Sequence, residues 1–317
     1  LHDALPISIG ADFQKGRGTM KNTLKKIKGK EIMWAYIMLA PAILLFITFV
    51  LIPLVSTFVI SFCEWDMLTP AEFVGWQNFE TLLNDQRLRT VIINTLIFAV
   101  AAVILKIGIG LLLAVVVHSI RNKFLTSVME SVFFFPIILP MAIVAIVWGM
   151  LLNTDMGVIN GLLTTVGLGK VPWLTDPRFS LMTVIILDVW KGVGFFFIIY
   201  RVALRNVPKD LYEAAEIDGA GKSKKFFSIT LPLISPTTLF LTIQAVIGSL
   251  QVFDQAYVLT KGGPGDSSST MVFYIWQNAF QKMDMGYGTT LALLLFVFVM
   301  IVTVTQMVLS KKWVFYN

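Results

Sequence analysis

The stretch "EAAEIDGAGKSKK", from Glu213 to Lys225, is a polar island in a chain that is otherwise strongly apolar. It contains Gly-Ala-Gly-Lys-Ser, whose last three residues match the end of a phosphate-binding loop. A complete loop of that kind also needs a glycine at position 216 and a preceding strand, but the residue there is Glu216 and the stretch before it favours a helix. Nearby carboxylates, such as Asp218, would repel phosphates. We therefore predict that this stretch binds no nucleotide.

The composition around this island is that of a protein with several membrane spans. The chain has 317 residues, of which 56% are hydrophobic and 14% are charged, whereas soluble domains have about 45–50% and about 25%. A single cysteine, Cys63, excludes an internal disulfide framework and a cysteine-based zinc site. Two histidines, His2 and His118, are too few for a histidine metal cluster.

Six apolar stretches are long enough to cross a hydrocarbon layer of about 30 Å. They are residues 34–61, 91–117, 126–152, 180–201, 231–253 and 289–309. The first contains Pro41 and Pro53, and the third contains Pro136 and Pro140. We expect a kink in the first span, and we expect the prolines of the third span to be tolerated, because neighbouring helices can satisfy the freed carbonyls. The sequence therefore predicts an all-α, polytopic membrane protein with six transmembrane helices.

The positive charges predict the orientation. Most of the 25 Lys and Arg residues lie before the first stretch, after the last, and in the two segments 118–123 and 201–230. The positive-inside rule then predicts that both termini and the 202–230 loop are cytoplasmic. Because the chain starts without Met, we interpret residues 1–19 as a non-native leader. We interpret 20–33 as a basic cytoplasmic N-terminus, 34–309 as the membrane domain and 310–317 as a cytoplasmic C-terminus.

Three charged residues lie near the middle of the apolar stretches. A lysine near the middle of a span, such as Lys106, costs about 3 kcal/mol on insertion, so we expect it to face protein or water. Asp188 and Lys191 are three residues apart and therefore share one face of a helix. We expect them either to form a pair or to mark a transport pathway.

The polar island itself predicts two short helices with a bend between them. Pro208 suits a helix start, "KDLYEAAEI" favours a helix, and Asp218-Gly219 is a turn signal. Ser223 is expected to cap a second helix that runs through Phe226 and Phe227 to the membrane. Two interpretations remain: a compact knob that docks on another protein, or an ordinary solvated loop.

The extended stretch "EAAEIDGAGKSKKFFSITLPLISP" resembles the EAA loop of bacterial ABC importer permeases. The resemblance continues through "FVLIPLVSTFVISF", "FVGWQNF", "NTLIFAV", "GVINGLL" and "FDQAYVLTKGGPGDSSST". The last of these is similar to the carbohydrate-uptake branch, whose members include the permeases of maltose, lactose and glycerol-3-phosphate importers. This resemblance implies the type I (MetI-like) permease fold and a permease subunit for a sugar or sugar derivative in the bacterial inner membrane.

The resemblance also implies the partners. They are a second homologous permease, a dimeric ABC ATPase, an extracytoplasmic sugar-binding receptor, the sugar and the membrane lipid, with no nucleic acid. It implies no enzymatic activity, catalytic residue, metal or cofactor in this chain, because the partner ATPase binds the ATP. The EAA loop, residues 209–226, would then be the coupling helix that contacts the ATPase. Its coupling residues would be Glu213, Ala214, Ala215, Asp218, Gly219 and Ala220.

A sugar pathway requires aromatic faces for C–H surfaces and polar groups for hydroxyls. Residues of these types lie on the fourth and fifth apolar stretches, where the resemblance places substrate contacts. The candidates are Asp188, Trp190, Gly192, Phe195, Phe196, Gln244, Ser249 and Gln251. Two other classes remain open: a secondary transporter driven by an ion gradient, and a membrane-embedded enzyme.

Two loops are expected on the external side. "TKGGPGDSSST" predicts a flexible loop that either contacts the receptor or joins a re-entrant segment to the last span. "WDMLTPAEFVGWQNFETLL" predicts an interfacial helix, anchored at the depth of the lipid headgroups by Trp65, Trp76 and Phe79.

Overall fold

The computed structural model describes residues 29–315. The expected leader, residues 20–28 of the basic N-terminus and the last two residues lie outside this part. Helices dominate what is described, and the only strands there are Cys63–Glu64 and Glu72–Phe73, which pair antiparallel. The prediction of an all-α protein is therefore confirmed, apart from this short hairpin.

Within the described residues, four helices are long and apolar enough to cross a membrane without interruption, and two bent pairs of helices pass the same test together. The uninterrupted ones are the first span, Trp34–Ile60, the second, Gln86–His118, the fourth, Pro177–Arg205, and the sixth, Met285–Ser310. The third span is the pair Lys123–Ile138 and Met141–Leu151, and the fifth is Lys222–Leu233 and Ser235–Leu250. The six predicted stretches therefore match six spans if each bent pair counts as one.

The first span belongs mostly to a separate unit that ends at Thr57. Its helix Gly29–Phe46 continues through a π-helical turn, Ile47–Leu51, into the helix Ile52–Ile60. Pro53 is the second residue after this turn and cannot donate a backbone hydrogen bond. The longer π-type hydrogen bond, from the Ile52 N–H to the Ile47 carbonyl, is how the chain passes this proline. The expected kink is thus a local π-helical turn.

The third span is broken rather than kinked. Its two helices meet at 100°, so the third predicted stretch is a bent pair of helices and not one continuous helix. Proline disfavours a helical conformation in the residue before it, and Leu139, which precedes Pro140, is extended with φ −74° and ψ 138°. Pro136 lies inside the first of the two helices without ending it. Pro140 therefore sets the break.

The fourth span lies in the unit that follows Thr57 and is the most buried of the four uninterrupted spans. Two glycines allow its neighbours to approach closely. A Cβ on Gly110 of the second span would lie 2.6 Å from the Cβ of Phe196, and a Cβ on Gly194 would overlap the carbonyl of Phe133 in the third span. These backbone contacts hold the second, third and fourth spans together.

The segments between spans form short helices. These are Gln77–Asn84, Val158–Thr165, Lys209–Ile217 and Met271–Trp276. The expected interfacial helix is therefore shorter than predicted: it covers only Gln77–Asn84, because the hairpin occupies the stretch before it. Trp76 precedes this helix and is 66% exposed, and its ring contacts those of Phe62 and Phe79.

Candidate functional site

The 209–226 segment forms the bent pair of helices that its sequence predicts. The helix Lys209–Ile217 is followed by Asp218 and then by Gly219, whose φ is +73°. The N–H of Gly219 donates to the Glu216 carbonyl at 3.0 Å, and the N–H of Ala220 donates to the Ala215 carbonyl at 2.8 Å. This is the Schellman arrangement, which needs a left-handed residue at the position of Gly219. The bend is thus built from main-chain hydrogen bonds.

Two side-chain contacts brace the bend. Lys225 forms an ion pair with Glu216 at 3.1 Å, and the Tyr212 hydroxyl lies 2.7 Å from the Thr230 hydroxyl at the base of the fifth span. The prediction that Ser223 caps the second helix is wrong. Gly221 precedes the helix Lys222–Lys225, and no side chain caps this helix. Gly221 takes that place because its extended backbone already follows the bend. The segment is a compact knob.

The knob carries exposed apolar side chains beside small residues. Ile217 is 88% exposed, and Phe227, the residue just after the segment, is 64% exposed. Of the six predicted coupling residues, four are exposed and two are half-buried. The exposed ones are Glu213, Ala214, Asp218 and Gly219, and the half-buried ones are Ala215 and Ala220. An apolar surface of this kind on a polar loop is typical of a docking site.

A polar cavity of about 290 Å³ lies where the fourth span meets the end of the fifth. Its polar lining contains charged and amide side chains. They come from Asp188 and Lys191 on the fourth span and from Gln251, Asp254 and Gln255 just after the fifth. Gly192 and Gly248 also line it. Three of the eight predicted pathway residues therefore meet here: Asp188, Gly192 and Gln251.

The other five predicted residues do not line this cavity. Trp190 packs against Trp148 at 5.4 Å between ring centroids. Phe195 and Phe196 contact each other edge to face, with Phe196 buried against the second span. Gln244 is exposed seven residues before Gln251 and thus on the same helical face. Ser249 is buried.

Asp188 is held by an ion pair across the spans. The Lys106 ammonium lies 2.6 Å from Asp188 Oδ2, and both side chains are nearly buried. The amide of Gln255 donates to Asp188 Oδ1 at 2.8 Å. The expected pairing of Asp188 with Lys191 is therefore wrong, whereas the expectation that Lys106 faces protein is confirmed. Gly192 makes room for this contact, because a Cβ there would lie 3.0 Å from Lys106 Cε.

Lys191 has a different contact. Its ammonium donates to the carbonyl of Ile137 at 3.4 Å, where the first helix of the third span ends. The break after Leu139 leaves carbonyls at this helix end without helical partners. A positive charge near a helix C-terminus is also favourable for the helix dipole. Lys191 thus links the fourth span to the break in the third.

The joining segment, residues 251–284, connects the fifth and sixth spans. Its "TKGGPGDSSST" portion is compact, and Ser268, Ser269 and Thr270 are fully buried. Asp266 forms an ion pair with Arg87, and its carbonyl accepts from the Asn94 amide at 2.7 Å. The prediction of an open, flexible loop is therefore wrong, and the joining segment is anchored to the second span.

A second anchor is Asp85, at the start of the second span. The hydroxyls of Tyr274 and Tyr287 both donate to its Oδ2 atom, and its Oδ1 atom accepts from the Leu88 N–H at 3.1 Å. Partial burial works against ionisation, but these hydrogen bonds outweigh it and lower the pKa of Asp85. Burial and the neighbouring carboxylate raise the pKa of Tyr274 to about 12. We did not predict this site from the sequence, although an Asp before an apolar helix is a cap signal.

The described residues 29–315 contain no group of His, Cys, Asp and Glu side chains that could hold a metal ion.

Comparisons with known proteins agree on one family. The family model for binding-protein-dependent transport system inner membrane components matches residues 106–314. The arabinooligosaccharides transport system permease protein AraP of Bacillus subtilis is 32% identical over 282 residues, 88% of each chain. The trehalose/maltose transport system permease protein MalF of Thermococcus litoralis is 31% identical over 292 residues, 92% of this chain and 98% of that one. A chain of a bacterial ABC transporter that imports the acidic polysaccharide alginate superposes with a TM-score of 0.81 at 25% identity, covering 92% of this chain and 99% of its own.

Proposed function

Because the chain belongs to the family of binding-protein-dependent transport system inner membrane components, we propose that it forms half of a translocation pathway for a sugar or sugar derivative. It is a permease subunit of an ABC importer and not an enzyme. Its relatives import arabinooligosaccharides and trehalose or maltose, which supports a carbohydrate substrate. The matched proteins are ABC importer permeases, so the alternatives of a secondary transporter and of a membrane enzyme are set aside.

The observation that carries the proposal is the polar cavity between the fourth and fifth spans. It contains carboxylates, amides and an ammonium, which suit the paired donors and acceptors of sugar hydroxyls. Asp188 is oriented by Lys106 and Gln255 and presents its carboxylate at the cavity wall. Gln251 adds an amide from the other side. A second permease would complete the pathway around this half-site.

Coupling to ATP hydrolysis is assigned to the 209–226 segment. Its exposed apolar side chains, Leu211 and Ile217, together with Phe227 just after it, have the character of a surface that fits a groove on a partner ATPase. The bond between Tyr212 and Thr230 connects the knob to the fifth span, which leads on to the cavity. Movement of the ATPase would then reach the cavity by rigid-body rocking of the spans.

The proposed assembly has four further components. They are the second permease, a dimeric ABC ATPase that binds the ATP, an extracytoplasmic sugar-binding receptor and the bacterial inner membrane. We assign both termini and the 209–226 segment to the cytoplasm, because Lys and Arg are concentrated in these parts of the sequence. The joining segment then lies on the external side, where the receptor delivers its sugar.

Replacement of Gly219 tests the coupling assignment. Gly219→Val forces a β-branched residue into a left-handed conformation at a cost of about 1–2 kcal/mol or more, so the bend changes shape. We expect sugar uptake by the assembled transporter to fall at least about tenfold. Gly221→Val is the matched control, because Gly221 has an ordinary φ of −67° and open space around it. Wild-type uptake by Gly219→Val with the ATPase still bound would refute the assignment.

A further inference from the structure

We propose that four aromatic side chains beside the cavity form a second carbohydrate subsite that stacks against a sugar ring outside the cavity itself. This aromatic cluster consists of Phe253, Tyr257, Phe273 and Trp276, all on the joining segment. The inference rests on the proposed function, because it presumes that a sugar enters the cavity. Of the four residues, only Phe253 also lines the cavity.

The cluster is a continuous set of ring faces. Phe253 and Tyr257 are stacked, with centroids 5.3 Å apart and planes 11° apart. Tyr257 meets Trp276 at 4.8 Å, and Trp276 stacks on Phe273 at 5.9 Å and 26°. Such contacts fix the ring orientations relative to one another. The cluster therefore presents a preformed aromatic surface.

The cluster is also rigidly supported. Phe273 is buried and lies against Gly262, where a Cβ would overlap its ring. The Thr270 hydroxyl donates to the Val252 carbonyl at 2.9 Å, which ties the two ends of the cluster together. Above this base, Tyr257 is 38% exposed, and Phe253 and Trp276 are half-buried. Ring surface thus remains available to a ligand.

The cluster is continuous with the polar cavity. Phe253 lines the cavity together with its neighbours Asp254 and Gln255, and Gln255 is bonded to Asp188. Aromatic faces that adjoin hydrogen-bonding groups match the two surfaces of a pyranose or furanose ring. The cavity volume of about 290 Å³ lies just below the range of about 300–1,000 Å³ that is typical of ligand sites. A sugar chain that fills the cavity would place its next ring on the cluster.

A different role for exposed aromatic rings is to anchor a protein at lipid headgroups. The chain has a second external cluster that serves as a comparison, formed by Phe62, Trp76 and Phe79. None of these three residues lines the cavity. If headgroup anchoring were the role of both clusters, substitutions in either would have the same effect.

The experiment measures uptake by the complete transporter, with its receptor, in proteoliposomes. The probes are maltose, maltotriose, arabinobiose and arabinotriose. We expect Tyr257→Leu and Trp276→Leu to raise KM for a transported trisaccharide about 3- to 10-fold, with kcat unchanged, and to change KM for the matching disaccharide less than about twofold. Tyr257→Phe, which keeps the ring, is expected to stay within about twofold of wild type. Trp76→Leu is the control and is also expected to stay within about twofold for both sugars.

Unchanged trisaccharide KM in both leucine variants would overturn the subsite and leave the proposed function standing. An equal effect of Trp76→Leu would assign the cluster to anchoring and would also overturn it. If the leucine variants fail to assemble, Trp276→Phe takes their place. We then expect its KM for the trisaccharide to rise and its KM for the disaccharide to equal that of wild type. Failure of the wild-type transporter to take up any of the four probes would count against both proposals.

Discussion

The Lys106–Asp188 ion pair gives the most direct test of the structure. In Lys106→Met the carboxylate of Asp188 keeps its buried position but loses its cation. We expect this variant to be much less stable than wild type. The reason is that an unpaired buried charge costs more than the pair contributes, so removal of one partner typically destabilises by about 3–5 kcal/mol.

The geometry sets the scale of the effect. At the observed 2.6 Å, two unit charges attract by about 6 kcal/mol with an effective dielectric constant of about 20. Only 9% and 12% of the two side-chain surfaces are exposed, so water compensates little when Lys106 is lost. The amide of Gln255 still donates to Asp188 and offsets part of the loss. We therefore expect about 3–4 kcal/mol.

The assay is thermal unfolding of the purified transporter in lipid nanodiscs. The amount of assembled complex that remains is measured as the temperature rises. A loss of this size corresponds to a drop in melting temperature on the order of 10 °C. The double variant Lys106→Met/Asp188→Asn removes both charges and should recover most of the loss, as a double-mutant cycle would report. Lys191→Met is the matched control, because the Lys191 ammonium donates to a carbonyl oxygen and not to a carboxylate.

A melting temperature for Lys106→Met within about 2 °C of wild type would refute the buried ion pair. So would a double variant that is no more stable than the single one. Equal losses in Lys106→Met and Lys191→Met would show that any lysine at this depth matters for insertion rather than for pairing.

Two further predictions concern packing and pH. Gly194→Ala should abolish assembly of the permease, because its Cβ would overlap the Phe133 carbonyl and overpacking costs about 3 kcal/mol. The control Gly108→Ala should assemble normally, because the space around Gly108 is open. Equal yields of the two variants on size-exclusion chromatography would contradict this prediction. Asp85→Asn should lower stability at pH 7 by about 1–2 kcal/mol, because charge-assisted hydrogen bonds to two tyrosines are weakened. The pKa of Asp85 is lower in the folded state than in the unfolded state. The difference in stability between variant and wild type is therefore present above the unfolded pKa of about 4, and it should vanish as the pH falls through the folded pKa. A difference in melting temperature that does not change with pH would argue against the network.

The positions of the spans could be predicted because the thickness of the hydrocarbon layer alone requires about 20 apolar residues. The ends of the spans are predicted less accurately than their positions. The second span begins at Gln86 rather than near residue 91, since Asp85 caps the helix and Arg87 pairs with the joining segment. Polar residues that continue a helix beyond the apolar stretch leave no mark in hydropathy.

The bends could not be predicted from proline alone. Pro41 and Pro136 lie inside helices, whereas Pro140 separates two helices that meet at 100°. The break at Pro140 also carries a tertiary contact, because Lys191 of the fourth span contacts the Ile137 carbonyl near it. The spacing of residues within one helix contains no information about such a contact.

The same limit explains the charge pairing. Asp188 and Lys191 share a helix face, so their spacing predicted a pair. The structure instead joins Asp188 to Lys106, because the second and fourth spans pack closely and Gly192 leaves room for the lysine side chain. The bend at Gly219, by contrast, was predictable, because a helix followed by Asp-Gly is a local signal that needs no distant partner.

The main-chain hydrogen bonds of the bend at Gly219 have an evolutionary consequence. Its shape depends on backbone groups and one glycine, so outward-facing positions such as Glu213 and Ile217 can be substituted while the knob keeps its outline. Under the proposed coupling role, these positions can change to suit a different ATPase without any change in the membrane-spanning helices. Such interchangeability would let one ATPase serve several permeases, or one permease acquire a new ATPase, through changes at only a few surface residues.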